Sequence, residues 1–90
     1  MANRKTITID PAVVARQRVD SAPDNSKAYW REWAALVSAI ATTPEGLGVK
    51  IDALRSYWEG CVIDESNVDE VMLLQETIHT SVDLMSAPAR

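Results

Sequence analysis

From Ser26 to Ala41 the chain reads SKAYWREWAALVSAIA, and its apolar residues return every three or four positions. On a helix of about 3.6 residues per turn, Tyr29, Trp30, Trp33, Ala34, Leu36, Val37, Ile40 and Ala41 fall in one arc. Lys27, Arg31, Glu32 and Ser38 fall opposite. That spacing predicts an amphipathic helix over 26–41, with the core built against it. Burying one Trp removes about 150–250 Å² from water, and Trp30 and Trp33 both lie in the arc. The rest of the chain is expected to cover them.

Downstream, Leu47, Ile51, Leu54, Trp58 and Cys61 recur at spacings of four and three. This seam predicts a helix over 44–59, packed antiparallel on the central one. Thr43 is its expected cap, with Pro44 at the first helical position. Gly46 and Gly48 fall in its first turns, each weakening it by roughly 1 kcal/mol relative to Ala, with room for a close backbone approach in return. A last helix is predicted over 67–85, capped by Ser66 or Asn67, with Asp69 and Glu70 at capping-box spacing. Its core stripe is Val71, Leu74, Ile78, Val82 and Met85.

Upstream, Asp10-Pro11 reads as a helix start, and a short helix is predicted over 11–19 with Val13, Val14 and Val19 apolar. Asp20–Asn25, DSAPDN, is a turn-rich linker. Thr6-Ile7-Thr8-Ile9 alternates and is β-branched, the pattern of a short strand. In a helical chain such a strand pairs with a second copy or stays extended. The expected fold is all-α: a small three-helix bundle with a short N-terminal helix. An extended basic arm covers residues 1–9 and a single helical domain covers 10–90.

Composition sharpens this picture in two places. Ninety residues make one domain, small enough to depend on good packing. The single cysteine, Cys61, excludes an internal disulfide framework and a Cys-rich zinc site. It is expected to be a small core residue. The first ten residues are polar, unlike a signal peptide, and no apolar run approaches the roughly 20 residues of a membrane span. The expectation is a cytoplasmic protein with no membrane role.

The net charge of −4 hides a split. Residues 1–31 carry six Lys/Arg against three acids, a net of +3, whereas residues 32–90 carry three against ten, a net of −7. No Lys or Arg occurs from Ser56 to Ala89.

Candidate chemistry is sparse. His79 and Asp83 stand one turn apart, a spacing at which a carboxylate can orient a base, but no nucleophile can be placed beside them. There is no phosphate-cradling glycine loop and no metal-ligand spacing. The reading is a non-enzyme without cofactor or metal. On the last helix Asp69, Glu76 and Asp83 repeat every seven residues and form an acidic ridge. Glu70, Glu65, Asp64 and Glu59 extend it, and Leu73 and Leu84 project away from the core stripe. Apolar contacts beside acids predict a docking patch for another protein with a basic surface. Its expected residues are Asp69, Glu76 and Asp83 for charge, with Leu73 and Glu70 beside them, on a monomer or weak homodimer.

Two resemblances bear on function. The stretch RKTITIDPAVVARQRV resembles the opening of ribbon-helix-helix repressors and antitoxins. This implies a dimer whose paired strands read the DNA major groove through Arg4, Lys5, Thr6 and Thr8. The second resemblance spans residues 10–85. Asp10-Pro11-Ala12-Val13-Val14, the Tyr/Trp helix, ATTPEGLGVKIDAL and a Leu-rich last helix resemble a group of small bacterial proteins often found in prophage regions. In that group a Thr-Pro-x-Gly-Leu-x-x-Lys element, here Thr43 to Lys50, opens a central helix. The resemblance implies no specific activity. It points to a phage-linked accessory protein, and by analogy to small acidic inhibitors that occupy basic grooves, as anti-CRISPR proteins do.

Overall fold

The computed structural model describes residues 9–60 and 63–86. Four helices follow in order: α1 (Pro11–Ser21), α2 (Lys27–Ser38), α3 (Pro44–Gly60) and α4 (Val68–Ser86). The described residues contain no strand. Thr6 to Thr8 of the expected strand lie outside them, as do Arg4, Lys5 and Cys61.

The helix starts follow local chemistry. The Asp10 carboxylate accepts the Ala12 N–H at 2.8 Å and the Val13 N–H at 3.4 Å, with Pro11 opening α1. Ser26 Oγ accepts the Tyr29 N–H at 3.0 Å, and Thr43 Oγ1 accepts the Gly46 N–H at 3.1 Å. Each cap satisfies an amide that the first helical turn leaves open. Asn67, one of the two expected cap residues, immediately precedes α4, and its carbonyl accepts the Val71 N–H at 3.0 Å. Here the Asp64 carboxylate accepts the Ser66 N–H at 2.8 Å and its hydroxyl at 2.6 Å, while Asn67 Oδ1 accepts the Asp64 N–H at 3.0 Å. Asn25, at the end of the linker, adopts φ 60°, the left-handed conformation that Asn tolerates better than most residues.

A three-helix bundle with a short helix attached was expected, but α1 is a full member of the fold. It packs on both α2 and α3, and α4 packs on the same two helices. The buried side chains of α1 are Ala12, Ala15 and Val19, while Val13 and Val14 are half-buried. Most of the residues that α1 and α3 bury are small: Ala12 and Ala15 on α1, Gly46 and Ala53 on α3. The relative directions follow from side-chain bonds. Tyr57 reaches Glu70, while Lys50 and Thr77 meet on the Val37 carbonyl, so α3 and α4 run antiparallel. Val37 meets Thr77 and Ala41 meets Ser81, so α2 and α4 run parallel.

The core gathers Ala15, Val19, Trp33, Leu36, Val37, Ala53, Tyr57, Val71 and Leu74. Two members of the expected α2 arc are exposed: Trp30, at 53%, and Ala34. Trp30 sets its ring edge-on against Tyr29 at 4.9 Å between centroids, and Tyr29 stacks on Trp33 at 6.4 Å. The largest departure is on α3. Its buried residues are Gly46, Lys50, Ala53 and Tyr57, one position before the expected seam at each turn. Of that seam Leu47 and Leu54 are half-buried and Ile51 and Trp58 are exposed. On α4, Val71 and Leu74 are buried, but Thr77 and Ser81 complete the stripe and Val82 is exposed.

Candidate functional site

Two places concentrate the chain's unusual residues. The first is the C-terminal end of α2, where polar groups from the other three helices converge. The last carbonyls of a helix have no partner within it. Lys50, fully buried on α3, donates to Leu36 O at 2.8 Å and Val37 O at 2.7 Å. The Thr77 hydroxyl lies 3.1 Å from Val37 O and 3.0 Å from Leu74 O. Ser81 Oγ accepts the Ala41 N–H at 2.8 Å and donates to Thr77 O at 2.6 Å. From α1, Asp10 Oδ2 accepts the Thr42 N–H at 3.0 Å, the Thr43 N–H at 2.8 Å and the Thr43 hydroxyl at 2.6 Å. The amides of Ala41, Thr42 and Thr43 are thus diverted to side chains of other helices. α2 ends at Ser38, before the expected Ala41, where Ala39 turns extended with its N–H on Leu36 O at 3.3 Å.

A Cβ at Gly46 would overlap the Asp10 carboxylate, so glycine is required for the clasp to close. Gly48 meets nothing and has no such role. Burial pushes the Lys50 amine down to about 8. It enters no ion pair among the described residues. For Asp10, burial works against the charged form, but hydrogen bonds from the Thr43 hydroxyl and the amides of Thr42, Ala12 and Thr43 outweigh it and hold the carboxyl below its ordinary value. Lys50 and Ser81 are fully buried and Thr77 nearly so, whereas Thr42 is exposed and Asp10 and Thr43 line a cavity of about 250 Å³. The cluster organises the fold.

The second place is the outer side of α3 and α4. A cleft of about 700 Å³ is lined by Leu54, Met72, Gln75, Glu76, Ile78, His79 and Thr80. On the same two helices Trp58 is 62% exposed, Met72 57% and Ile51 42%. The expected docking residues Asp69, Glu76 and Asp83 are all exposed on α4 and form no ion pair among the described residues. Leu73 and Leu84 are exposed as well. Glu70 has a different place: it accepts the Tyr57 hydroxyl at 3.0 Å, and Tyr57 accepts the Trp33 indole N–H at 2.8 Å. Glu70 therefore ends a relay that satisfies the polar atoms of two buried aromatics. His79 is exposed on the cleft wall and makes no bond to Asp83 among the described residues.

Sequence reasoning found the acids and missed Met72 and Lys50. A signal for Lys50 was available: it is the one lysine at core spacing on α3, with Ala53 and Tyr57 at positions three and seven on. No group of His, Cys, Asp and Glu able to hold a metal occurs among the described residues, and none of the described helices is long and apolar enough to cross a membrane.

The fold places the chain in the class of compact all-α proteins. Comparison with protein-family models, with curated proteins and with solved structures finds no match to it.

Proposed function

We propose that this chain is a non-catalytic interaction module that docks a partner with a basic surface through its acidic C-terminal half. One observation carries the reading. Along α4 the carboxylates of Asp69, Glu76 and Asp83 stay exposed and unbridged, with the exposed apolar side chains of Met72 and Leu73 between them. The two cations described in the α3–α4 half do not neutralise them. Lys50 is buried, and Arg55 is held by Glu59 at 3.2 Å and Asp52 at 3.9 Å. Opposite charge steers a basic partner in, and the apolar side chains supply contact area.

In this reading the module acts as a monomer or weak homodimer in the cytoplasm. A phage-linked inhibitor that occupies a basic groove is a narrower form of the same proposal. The element that suggested it is accounted for by folding alone: Thr43 caps α3, Gly46 admits Asp10 and Lys50 closes α2. The DNA-binding alternative rests on Arg4, Lys5, Thr6 and Thr8, which lie outside the described residues.

The test is a titration of the full chain with oligolysine, followed by backbone amide shifts. Shifts are expected around Asp69, Glu76 and Asp83, to weaken with added salt, and to vanish in the double variant Asp69→Lys, Glu76→Lys. Unchanged binding by that variant rejects the reading.

A further inference from the structure

Helix α3 carries two parallel stripes. Gly46, Lys50, Ala53 and Tyr57 turn inward. One residue further round, Leu47, Ile51, Leu54 and Trp58 form the more apolar stripe: Leu54 lines the cleft shared with α4, Leu47 is half-buried, and Ile51 and Trp58 are exposed. Antiparallel α3 and α4 lie side by side, and two such helices leave a furrow between them that a third can fill. Met72, Ile78 and Leu54 line this furrow, with Ile51 and Trp58 exposed along the same α3 stripe. Ile51 and Trp58 are two turns apart, about 10 Å along the axis.

We infer that the α3–α4 furrow is the seat of a basic amphipathic helix supplied by a partner protein. The inference rests on the docking reading above and gives that partner a shape. Charge complementarity selects it. Glu76 stands on the furrow wall, Asp69 and Asp83 lie one heptad to either side on the same helix, and no lysine or arginine lines the cleft. The occupant therefore carries lysine or arginine flanking an apolar stripe. The walls dictate that it is a helix. Both are α-helices whose backbone groups are bonded internally, so an extended peptide finds no strand edge to join. Recognition must run through side chains, at the i, i+3 or i+4, i+7 spacing that matches two turns of furrow.

A synthetic amphipathic helix of leucine and lysine, about 18 residues or five turns long, is the probe. It is titrated into the full chain at physiological salt, with the Met72 methyl resonance and calorimetry as readouts. The Met72 methyl is expected to shift in the unmutated protein. The triple variant Ile51→Ser, Trp58→Ser, Met72→Ser is expected to bind at least about tenfold more weakly, with its circular dichroism unchanged. A Met72 methyl that stays still in the unmutated protein and full affinity in the triple variant, together with loss of binding in Asp69→Lys, Glu76→Lys, overturn the furrow and leave charge-driven docking intact. Full affinity in both variants, or no binding by the unmutated chain, overturns the furrow and the docking reading together. A dimer seen by light scattering without the probe, and reduced to a monomer by the triple variant, overturns the assignment to a partner's helix and gives the furrow to a second copy.

Discussion

Lys50 and Trp58 lie on the same helix, eight residues apart, and each sits where the other's chemistry would place it. The ammonium is fully buried and the indole is 62% exposed. The inner site resolves its cost locally: two carbonyls at the end of α2 receive the lysine protons. The outer site has no such resolution within the chain, since nothing described covers Trp58, Ile51 and Met72. A buried polar group with all its neighbours in place speaks of folding. A row of large apolar side chains left in water, with acids on its rim, speaks of contact with something else. If the comparison holds, substitutions at the α2 end cost stability and substitutions along the furrow do not.

The largest effect is expected at Asp10. Replacing it with Ala removes five hydrogen bonds and leaves the amides of Ala12, Thr42 and Thr43 without their acceptor. The expected loss is about 3–5 kcal/mol, read by urea unfolding, enough to unfold much of a domain this small. Acid should act on the same group. The carboxyl lies below its ordinary 3.8 in the fold. The stability it contributes is therefore complete above that value and disappears as pH falls through the lower folded value. An Asp10→Ala variant that loses under 1 kcal/mol (roughly one lost hydrogen bond) would remove the inner half of the comparison.

Next come the two glycines of α3, which propensity alone treats alike. Gly46→Ala drives a methyl into the Asp10 carboxylate, and a loss of about 2–3 kcal/mol is expected. Gly48→Ala meets open space and should gain about 0.5–1 kcal/mol. Melting temperatures that move in opposite directions confirm that the clasp, not helix propensity, governs this turn.

Lys50 offers a smaller effect with a distinctive sign. Unfolded, the amine holds its proton up to about its ordinary 10.5; folded, it releases it near about 8. Between these values the folded chain binds fewer protons than the unfolded one, so stability rises with pH across that window. A rise on the order of 1–3 kcal/mol is expected, absent in Lys50→Met. The Met variant itself should lose only about 1 kcal/mol at neutral pH. Leu36 O keeps the Ala39 N–H and Val37 O keeps the Thr77 hydroxyl. A flat difference curve between the two proteins from neutral to alkaline pH would contradict the buried charge.

What the sequence made legible was local. Asp10-Pro11, Ser26 and Thr43-Pro44 announce helix starts within three or four residues, and all three caps form. Trp33, Leu36 and Val37 are buried as their period requires. The failures are long-range. Spacings of four and three fit 46-50-53-57 as well as 47-51-54-58, and composition favours the second stripe. The choice is decided by small residues that admit α1 and by the open carbonyls of α2, 13 and 14 residues away from Lys50. Polar demand also puts Thr77 and Ser81 in the buried stripe of α4, where Thr77 donates to Val37 O and Ser81 accepts the Ala41 N–H, and leaves Val82 exposed. For the candidate site, Asp69, Glu76 and Asp83 were visible because charge reads directly. The apolar furrow was hidden because its residues were assigned to the core.

The smallest expected change is the most informative about that furrow. Trp58→Ser and Met72→Ser remove large side chains that already stand mostly in water. If they contribute nothing to folding, urea midpoints should stay within about 0.5 kcal/mol of the unmutated chain, as exposed substitutions usually do. The contrast with Tyr57, one position before Trp58, sharpens the test. Tyr57→Phe keeps the ring but leaves the Trp33 indole N–H without its acceptor and Glu70 without its donor. A loss of about 1–2 kcal/mol is expected there. Should Trp58→Ser cost as much as Tyr57→Phe, the outer stripe would be part of the folding core after all, and its exposure would no longer argue for a partner.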